Sequence, residues 1–131
     1  MDGASGGAGL RWSIPAGREG GVVIVRIWHG WTTRENADAY ERLVRDDVLP
    51  EIGAVAGYAG AEILRADSSE EVEFTVITRF ASLDAVRNFA GEDYEAAVVP
   101  SEARKLLLRF DERARHYTQV ALIAPGRSAP T

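Results

Sequence analysis

EVEFTVITRF, residues 71–80, alternates apolar and polar side chains along its whole length. The two sets are Val72, Phe74, Val76, Thr78 and Phe80 on one face, and Glu73, Thr75, Ile77 and Arg79 on the other. A period of two residues is that of a β-strand whose one face lies in a core. We therefore predict a strand here, and the remaining elements can be placed on either side of it.

On the N-terminal side, the β-branched run Val22–Trp28 predicts a buried strand. Thr32 and Glu35 have the spacing of a capping box, which predicts a helix that begins at Thr32. Pro50 should end or kink that helix. The stretch 59–65 then predicts a second strand, joined to 71–80 by a short polar hairpin loop.

On the C-terminal side, Ser82 is expected to cap a second helix that Gly91 closes. Two short helical pieces, 93–99 and 101–110, and a last strand, 115–122, complete the pattern. The order β-α-β-β-α-β predicts an α+β, ferredoxin-like fold with a four-stranded antiparallel sheet. Right-handed crossovers give the strand order 4-1-3-2 with the helices on one face. The other face is also apolar, so we expect it to be covered in a homodimer that packs sheet against sheet.

Composition sets the bounds of the domain and excludes several functional classes. Seven of the 13 glycines lie within residues 1–21, so we predict a disordered tail over 1–20, one domain over 21–123 and a second disordered tail over 124–131. The absence of cysteine excludes disulfides and thiolate metal sites. A formal charge of −5 argues against nucleic acid as a partner. The apolar runs are too short for a membrane span, and the start lacks the pattern of a secretory signal, so the expected location is the cytoplasm.

Several short motifs together resemble a known family. They are RIWHGWT (26–32), ADAY (37–40), GYAGAEILR (57–65), EFTVITRF (73–80), DAVRNFAGED (84–93), Pro100 and the pair His116-Tyr117. This set is similar to the antibiotic biosynthesis monooxygenase-like family of the dimeric α/β-barrel superfamily. The resemblance covers about residues 22–120 and implies a ferredoxin-like subunit, a homodimer and a pocket between helices and sheet. It also implies a small monooxygenase-like enzyme that uses no cofactor and acts on an aromatic or polyketide-type metabolite of secondary metabolism.

The same superfamily also contains haem-degrading enzymes, and the sequence argues against that activity. Members of that kind place an asparagine on the first strand, a tryptophan near the end of the third strand and a histidine on the second helix. Here the first strand has no asparagine, Phe80 occupies the place of the tryptophan, and residues 81–99 contain no histidine.

The candidate catalytic residues are His29, His116, Arg26 and Arg79. If residue 22 lies opposite about residue 123, the two histidines become cross-strand neighbours and could act as a general base or proton shuttle. Alternatively, they are polar residues at strand ends. No metal site is predicted, because two histidines lack the third protein ligand that a catalytic zinc needs.

The two arginines lie inside strands that are otherwise buried, where a guanidinium needs a partner. Glu73 is the expected partner. Either an arginine enters the pocket to hold an enolate or carboxylate, or the pair is a structural ion pair.

Aromatic side chains form the predicted substrate-binding set, with membership of the core as the alternative for each. The set is Trp28, Trp31, Tyr40, Tyr58, Phe80, Phe89, Tyr94 and Tyr117. The same pocket could also serve a cyclase, isomerase or dehydratase, since proton transfer at an enolisable carbon needs the same groups. A third possibility is a binding or accessory protein without catalysis.

Overall fold

The computed structural model describes residues 22–126. The predicted N-terminal tail, 1–20, lies outside the described residues, as do residues 127–131 of the predicted C-terminal tail. The strands are β1 (Ile24–Thr33), β2 (Tyr58–Asp67), β3 (Glu71–Phe80), β4 (Leu107–Phe110) and β5 (Arg115–Thr118). The helices are α1 (Arg34–Leu43), a π-helical turn (Val44–Val48), α2 (Leu49–Ile52), α3 (Leu83–Ala90) and α4 (Ser101–Leu106).

The sheet is antiparallel, with the order β2-β3-β1-β4, and β5 also pairs with β1. This arrangement confirms the predicted α+β, ferredoxin-like fold. The predicted count of four strands needs correction, because the edge position beside β1 is divided between two strands. β4 pairs with Gly30–Thr32, whereas β5 pairs with Ile24–Ile27.

The helical prediction over 93–99 and 101–110 is wrong in two places. Residues 93–99 form no helix, because their backbone groups bond to the break between β4 and β5: Ala97 N–H donates to the Glu112 carbonyl, and Ala114 N–H donates to the Glu95 carbonyl. The helix at 101 ends at Leu106, since the next four residues join the sheet as β4. The last strand ends at Thr118 rather than at residue 122.

The first helix begins one residue later than predicted. Thr33 is the N-cap, and its hydroxyl accepts a hydrogen bond from the Asn36 backbone N–H at 3.1 Å. Thr32 is instead the buried partner of Val72 in the sheet. Pro50 does not end the first helix. α1 ends at Leu43, and the chain stays helical beyond Pro50. A π-helical turn precedes α2, and Pro50 sits in the first turn of α2, where no intrahelical donor is needed.

The core lies between the sheet and the helices in two buried clusters. One joins Ala37, Tyr40 and Val44 of the first helical segment to Val72 and Phe74 of β3. The other joins Ile24, Ile52, Phe80, Ala85 and Val86. Alternation along β1 and β3 sends every second side chain to this inner face of the sheet. The outer face carries the residues between them.

Candidate functional site

A pocket of about 230 Å³ lies between the inner face of the sheet and the helical segment that runs from α1 to α2. Most of its wall is apolar, with residues such as Val44, Val48, Leu49, Ile52, Val76 and Val99. Its polar groups come from Arg26, Trp28, Tyr40, Glu51 and Thr78. The pocket is therefore a largely apolar chamber with a few polar groups, which is the usual form of a small-molecule site.

Strand and helix periodicity explain why these polar groups meet. Arg26 and Trp28 are two residues apart on β1, and Thr78 is the register partner of Arg26 on β3, so all three share the inner face. Tyr40 lies three residues after the buried Ala37 and four before the buried Val44, on the inward stripe of the first helical segment. The π-helical turn then carries the wall from Val44 onward, and π-helical turns recur at functional sites.

Arg26 is the deepest charge in the pocket, with 4% of its surface exposed. Its Nη1 donates to the Tyr94 carbonyl at 2.5 Å and its Nη2 to the Ala96 carbonyl at 2.9 Å. The guanidinium carbon also lies 5.2 Å from the centre of the Phe89 ring. Within residues 22–126, no carboxylate lies within ion-pair distance of this guanidinium. Burial lowers the pKa of Arg26 to about 10, which still leaves the group charged at neutral pH.

His116 lies directly across from Arg26 in the β1–β5 register. Its Nε2 is 3.1 Å from Arg26 Nη1. A guanidinium has donors only, so Nε2 must accept this hydrogen bond and the imidazole must be neutral with its proton on Nδ1. Nδ1 is buried and has no hydrogen-bond partner among the described residues. Burial, together with the charge of Arg26, lowers the pKa of His116.

Tyr40, Thr78 and Trp28 supply the neutral polar part of the wall. No hydrogen bond joins the hydroxyl groups of Tyr40 and Thr78 to another residue between 22 and 126, so both can bond to a ligand. Burial raises the pKa of Tyr40, so its hydroxyl stays protonated and can donate. The Trp28 indole N–H is already used, because it donates to the Asp111 carbonyl at 2.8 Å. Trp28 therefore presents only ring surface to the pocket.

The predicted pairing of the two histidines is wrong. His29 lies opposite Thr75 on one side of β1, and its side chain is on the outer face of the sheet. Its Nδ1 lies 2.8 Å from Asp111 Oδ2, and its ring stacks near Trp31 at 6.2 Å. The true register places His116 opposite Arg26, because β5 is shifted by three residues from the guessed pairing. A guessed register slips easily when the intervening loop is irregular.

The predicted ion pairs with Glu73 are also wrong. Arg26 has carbonyl and imidazole partners, while Arg79 Nη2 donates to Glu62 Oε2 at 3.1 Å on the outer face. Glu73 lies opposite Trp31 in the β1–β3 register. Glu73 and Arg79 do share the outer face, as their spacing predicts. The partner of Arg79 comes from β2, whose position beside β3 the spacing alone does not determine.

The predicted aromatic set divides among three places. Trp28, Tyr40 and Phe89 line the pocket. Tyr58 and Phe80 contact each other in the core at 6.1 Å between ring centres, and Tyr94 lies outside the pocket, with its ring edge against His116 at 5.2 Å. Trp31 lies on the outer face beneath the guanidinium of Arg109 at 4.5 Å, and Tyr117 is exposed beside Arg115.

Sequence reasoning missed Thr78, Glu51 and the apolar wall from the π-helical turn. Thr78 could have been found, since it shares the inner face with Phe74 and Phe80 in the strand pattern. Glu51 carries no comparable signal, because its place depends on the helical path past Pro50.

Neither a metal-binding cluster nor a membrane-spanning helix occurs in the described part of the chain. No group of three or more His, Cys, Asp or Glu side chains is arranged to hold a metal ion among residues 22–126. No helix in the same range is both long enough and apolar enough to cross a membrane.

Comparison with known proteins identifies the fold. No protein-family model matches the sequence, and no curated protein matches it. Among solved structures, a Bacillus cereus protein provisionally named as an antibiotic biosynthesis monooxygenase is 13% identical and superposes with a TM-score of 0.55, over 80% of this chain and 100% of that one. The chain has the fold of the antibiotic biosynthesis monooxygenases.

Two further structures with this fold carry information about ligands and assembly. A monooxygenase from the gene ActVA-Orf6 of Streptomyces coelicolor, solved in complex with nanaomycin D, is 18% identical with a TM-score of 0.55, over 80% of this chain and 94% of that one. A dimeric ferredoxin-like protein from an uncultured marine organism is 8% identical with a TM-score of 0.50, over 81% and 94% of the two chains. At these identities the antibiotic biosynthesis monooxygenase fold is what the likeness establishes.

Proposed function

We propose that this protein is a cofactor-independent monooxygenase-like enzyme that acts on an aromatic or polyketide-type metabolite of secondary metabolism. One observation carries the proposal: the buried guanidinium of Arg26 faces a mostly apolar pocket and has no carboxylate partner among residues 22–126. A buried cation of this kind is stabilised when an anion joins it. An enolate or phenolate on an aromatic framework supplies both the anion and the apolar surface.

The hydrogen-bond count of Arg26 supports an oxygen anion as the ligand. A guanidinium has five N–H groups. The two on Nη1 donate to the Tyr94 carbonyl and to His116 Nε2, and one on Nη2 donates to the Ala96 carbonyl. The N–H on Nε and the second one on Nη2 have no partner among the described residues. Two parallel donors of this kind match a pair of neighbouring oxygen atoms that share a negative charge.

The proposed reaction oxidises a methylene group that is activated by an adjacent carbonyl or aromatic ring. The methylene loses a proton to give an enolate, which Arg26 stabilises. The enolate transfers electrons to O₂, and the carbon–oxygen bond forms as a hydroperoxide. Loss of water then leaves a carbonyl, so that CH₂ and O₂ become C=O and H₂O. Glu51, the exposed carboxylate at the pocket wall, is the group that accepts the first proton and passes it to solvent.

The relatives by fold support the choice of substrate class. The Streptomyces coelicolor monooxygenase was solved with nanaomycin D bound, and this chain offers the side chains of Trp28, Tyr40 and Phe89 to a planar ring system in its own pocket. His29 and Arg79 take no part in this proposal, because both side chains lie on the outer face of the sheet.

We also propose a homodimer that packs the outer faces of two sheets together, in the cytoplasm. Val25, Ile27 and Ile77 are half-buried on that face, while Leu64 and Tyr117 are nearly half exposed. The dimeric ferredoxin-like protein with the same fold supports this arrangement. Sedimentation equilibrium at micromolar concentration should give twice the chain mass. A single monomeric species would refute the dimer.

Oxygen uptake tests the enzymatic proposal. The purified protein is mixed with 9-anthrone or a dihydronaphthoquinone, and O₂ consumption is compared with the autoxidation rate. We expect uptake well above autoxidation and the formation of the quinone product. Arg26→Met should abolish this uptake, whereas Arg79→Met is the matched control and should retain it.

The same assay separates the alternatives. Uptake at the autoxidation rate across several such substrates would overturn the oxygenase. Turnover of the substrate under strict anaerobiosis would instead assign the pocket to a cyclase, isomerase or dehydratase.

A further inference from the structure

We propose that His116 is a positioning residue that acts through Arg26: in its neutral form it holds the guanidinium in place to bind an anion, and its protonation releases that hold. This inference rests on the proposed anion-binding role of Arg26. It assigns to His116 a task different from that of the general base that its residue type suggests.

The geometry excludes His116 as a base for a ligand in this pocket. Its side chain is not part of the pocket wall, and the guanidinium of Arg26 is. The nitrogen that could take a proton, Nε2, already accepts the hydrogen bond from Arg26 Nη1 at 3.1 Å. His116 therefore reaches a bound molecule only through Arg26.

Three acceptors fix the guanidinium, and they differ in kind. The Tyr94 and Ala96 carbonyls accept at any pH. The imidazole of His116 accepts only while it is neutral, since both nitrogens of an imidazolium are donors. The position of Arg26 thus depends on one titratable partner.

The surroundings of His116 keep it neutral near pH 7. Arg26 opposes its protonation from β1, while Glu95 favours protonation from the loop before α4. The Tyr94 ring covers one side, with Arg87 of α3 stacked over that ring at 5.4 Å. Burial is the largest cause and the charge of Arg26 the second; together they exceed the effect of Glu95, so the pKa of His116 is lowered.

Protonation would place two cations in direct contact. Nε2 would then be a donor facing the Nη1 donor at 3.1 Å, so the hydrogen bond that holds this side of the guanidinium is lost and repulsion favours conformations in which the two groups lie further apart. A bound anion would attract the imidazolium, but it lies on the far side of Arg26, whereas the repulsion acts across 3.1 Å. Affinity for an anion should therefore fall on acidification.

The test uses 1-hydroxy-2-naphthoate, a bicyclic probe whose carboxylate stays ionised across the range studied. Its dissociation constant is measured by titration calorimetry from pH 8 to pH 5. For the wild-type protein we expect affinity to fall towards acid, with a limiting slope of about tenfold per pH unit below the pKa of His116. The neutral isostere 1-hydroxy-2-naphthamide should show no such slope.

Two variants separate positioning from a merely structural role. His116→Gln places an amide oxygen where Nε2 lies, so it should retain affinity at pH 8 and lose the acid slope. His116→Leu removes the acceptor and should bind about tenfold more weakly at every pH, which corresponds to the loss of one hydrogen bond to a charged group. An acid slope that persists in His116→Gln, or wild-type affinity that rises or stays level towards pH 5, overturns the proposal.

A ligand-free measurement keeps the proposal testable if the protein consumes no oxygen and binds no probe. Long-range ¹H–¹⁵N spectra of the imidazoles at pH 7.5 should show His116 with a protonated Nδ1 and an unprotonated Nε2. In Arg26→Met the pKa of His116 should rise, because a repelling charge is gone. A protonated Nε2 in the wild-type protein would overturn the positioning role, whatever the enzymatic assay gives.

Discussion

The arginines on the two faces of the sheet have different kinds of partner. On the outer face, cations meet carboxylates: Arg79 bonds to Glu62, and Arg109 makes two bonds of 2.9 Å to Glu71. On the inner face at the pocket, Arg26 meets carbonyls and a neutral imidazole instead.

The two faces differ in their exposure to solvent, and this difference indicates where a ligand would bind. Within one subunit the outer pairs are partly exposed, so each contributes little to the stability of that subunit, as surface ion pairs generally do. The buried inner cation lacks a counter-charge from this part of the chain, so its environment improves when an anion arrives. A charge that the fold leaves uncompensated is a better guide to a binding site than a charge that is paired.

The largest expected difference between the faces is in packing. Phe74 is fully buried on the inner face and contacts Tyr40 at 4.8 Å between ring centres. Phe74→Ala should lower the free energy of unfolding by about 3–5 kcal/mol in urea titrations. Leu64→Ala on the outer face is the comparison and should cost about 1 kcal/mol or less from packing within one subunit, because Leu64 is 48% exposed there, and any further loss comes from the proposed dimer. Equal losses at the two positions would mean that the outer face is as fully buried in solution as the core.

The second comparison concerns the two arginines. Arg26→Met should weaken binding of 1-hydroxy-2-naphthoate about 100-fold, since two hydrogen bonds to a charged group are lost. Arg79→Met should change the dissociation constant less than about twofold, because Arg79 is not at the pocket. Arg26→Lys keeps the positive charge but lacks the paired N–H donors of a guanidinium, so its dissociation constant should lie between those of the two Met variants. Thermal unfolding of each variant checks that it is folded. Equal effects of the two Met substitutions would contradict the assignment of the pocket.

The third comparison uses two threonines of the sheet. The Thr32 hydroxyl is fully buried and has no hydrogen-bond partner among residues 22–126. Thr32→Val has the same shape without the unsatisfied group and should raise the free energy of unfolding by about 1 kcal/mol. Thr75→Val on the outer face should change it by less than about 0.5 kcal/mol. A loss of stability in Thr32→Val would show that the hydroxyl has a partner in solution.

The smallest effect is a pH dependence of stability. The pKa of His116 is lowered by folding, so between that value and its ordinary 6.5 the unfolded chain binds more protons than the folded one. Stability should therefore be full above about pH 6.5 and should decline as the pH falls through this window. Urea titrations from pH 8 to pH 5 should show the decline in the wild-type protein and a weaker one in His116→Gln. His29→Gln, changed on the outer face, should leave the His116 part of the decline in place.

Much of the fold follows from local pattern. Alternation over 71–80 identified β3 and both of its faces, and Ser82 caps the helix that it was expected to cap, with its hydroxyl accepting from the Ala85 N–H at 3.1 Å. The divided edge strand was missed, because a run such as Leu107–Phe110 is too short for its period to distinguish a strand from a helix. Its place is decided by pairing with β1, a contact remote in sequence.

The site was predicted as a set of residue types rather than as an arrangement. Arg26 was singled out because a charge inside an apolar strand needs a reason, and that reasoning also selected Arg79. The two arginines differ in their partners, which lie 17 residues away in sequence for Arg79 and 68 to 90 residues away for Arg26, so only the folded chain distinguishes them.

The break between β4 and β5 has a consequence for how such a protein can change over evolutionary time. Ala96 bridges to Arg113 across this break, and the Ala97 and Ala114 N–H groups tie the same two segments together. The loop that supplies the Tyr94 and Ala96 carbonyls is thereby attached to the rim of the sheet. An insertion or deletion at the rim could shift the cation relative to the rings around it while every wall residue stays the same. Homologues of this chain could therefore acquire a new ligand preference through insertions or deletions remote from the ligand.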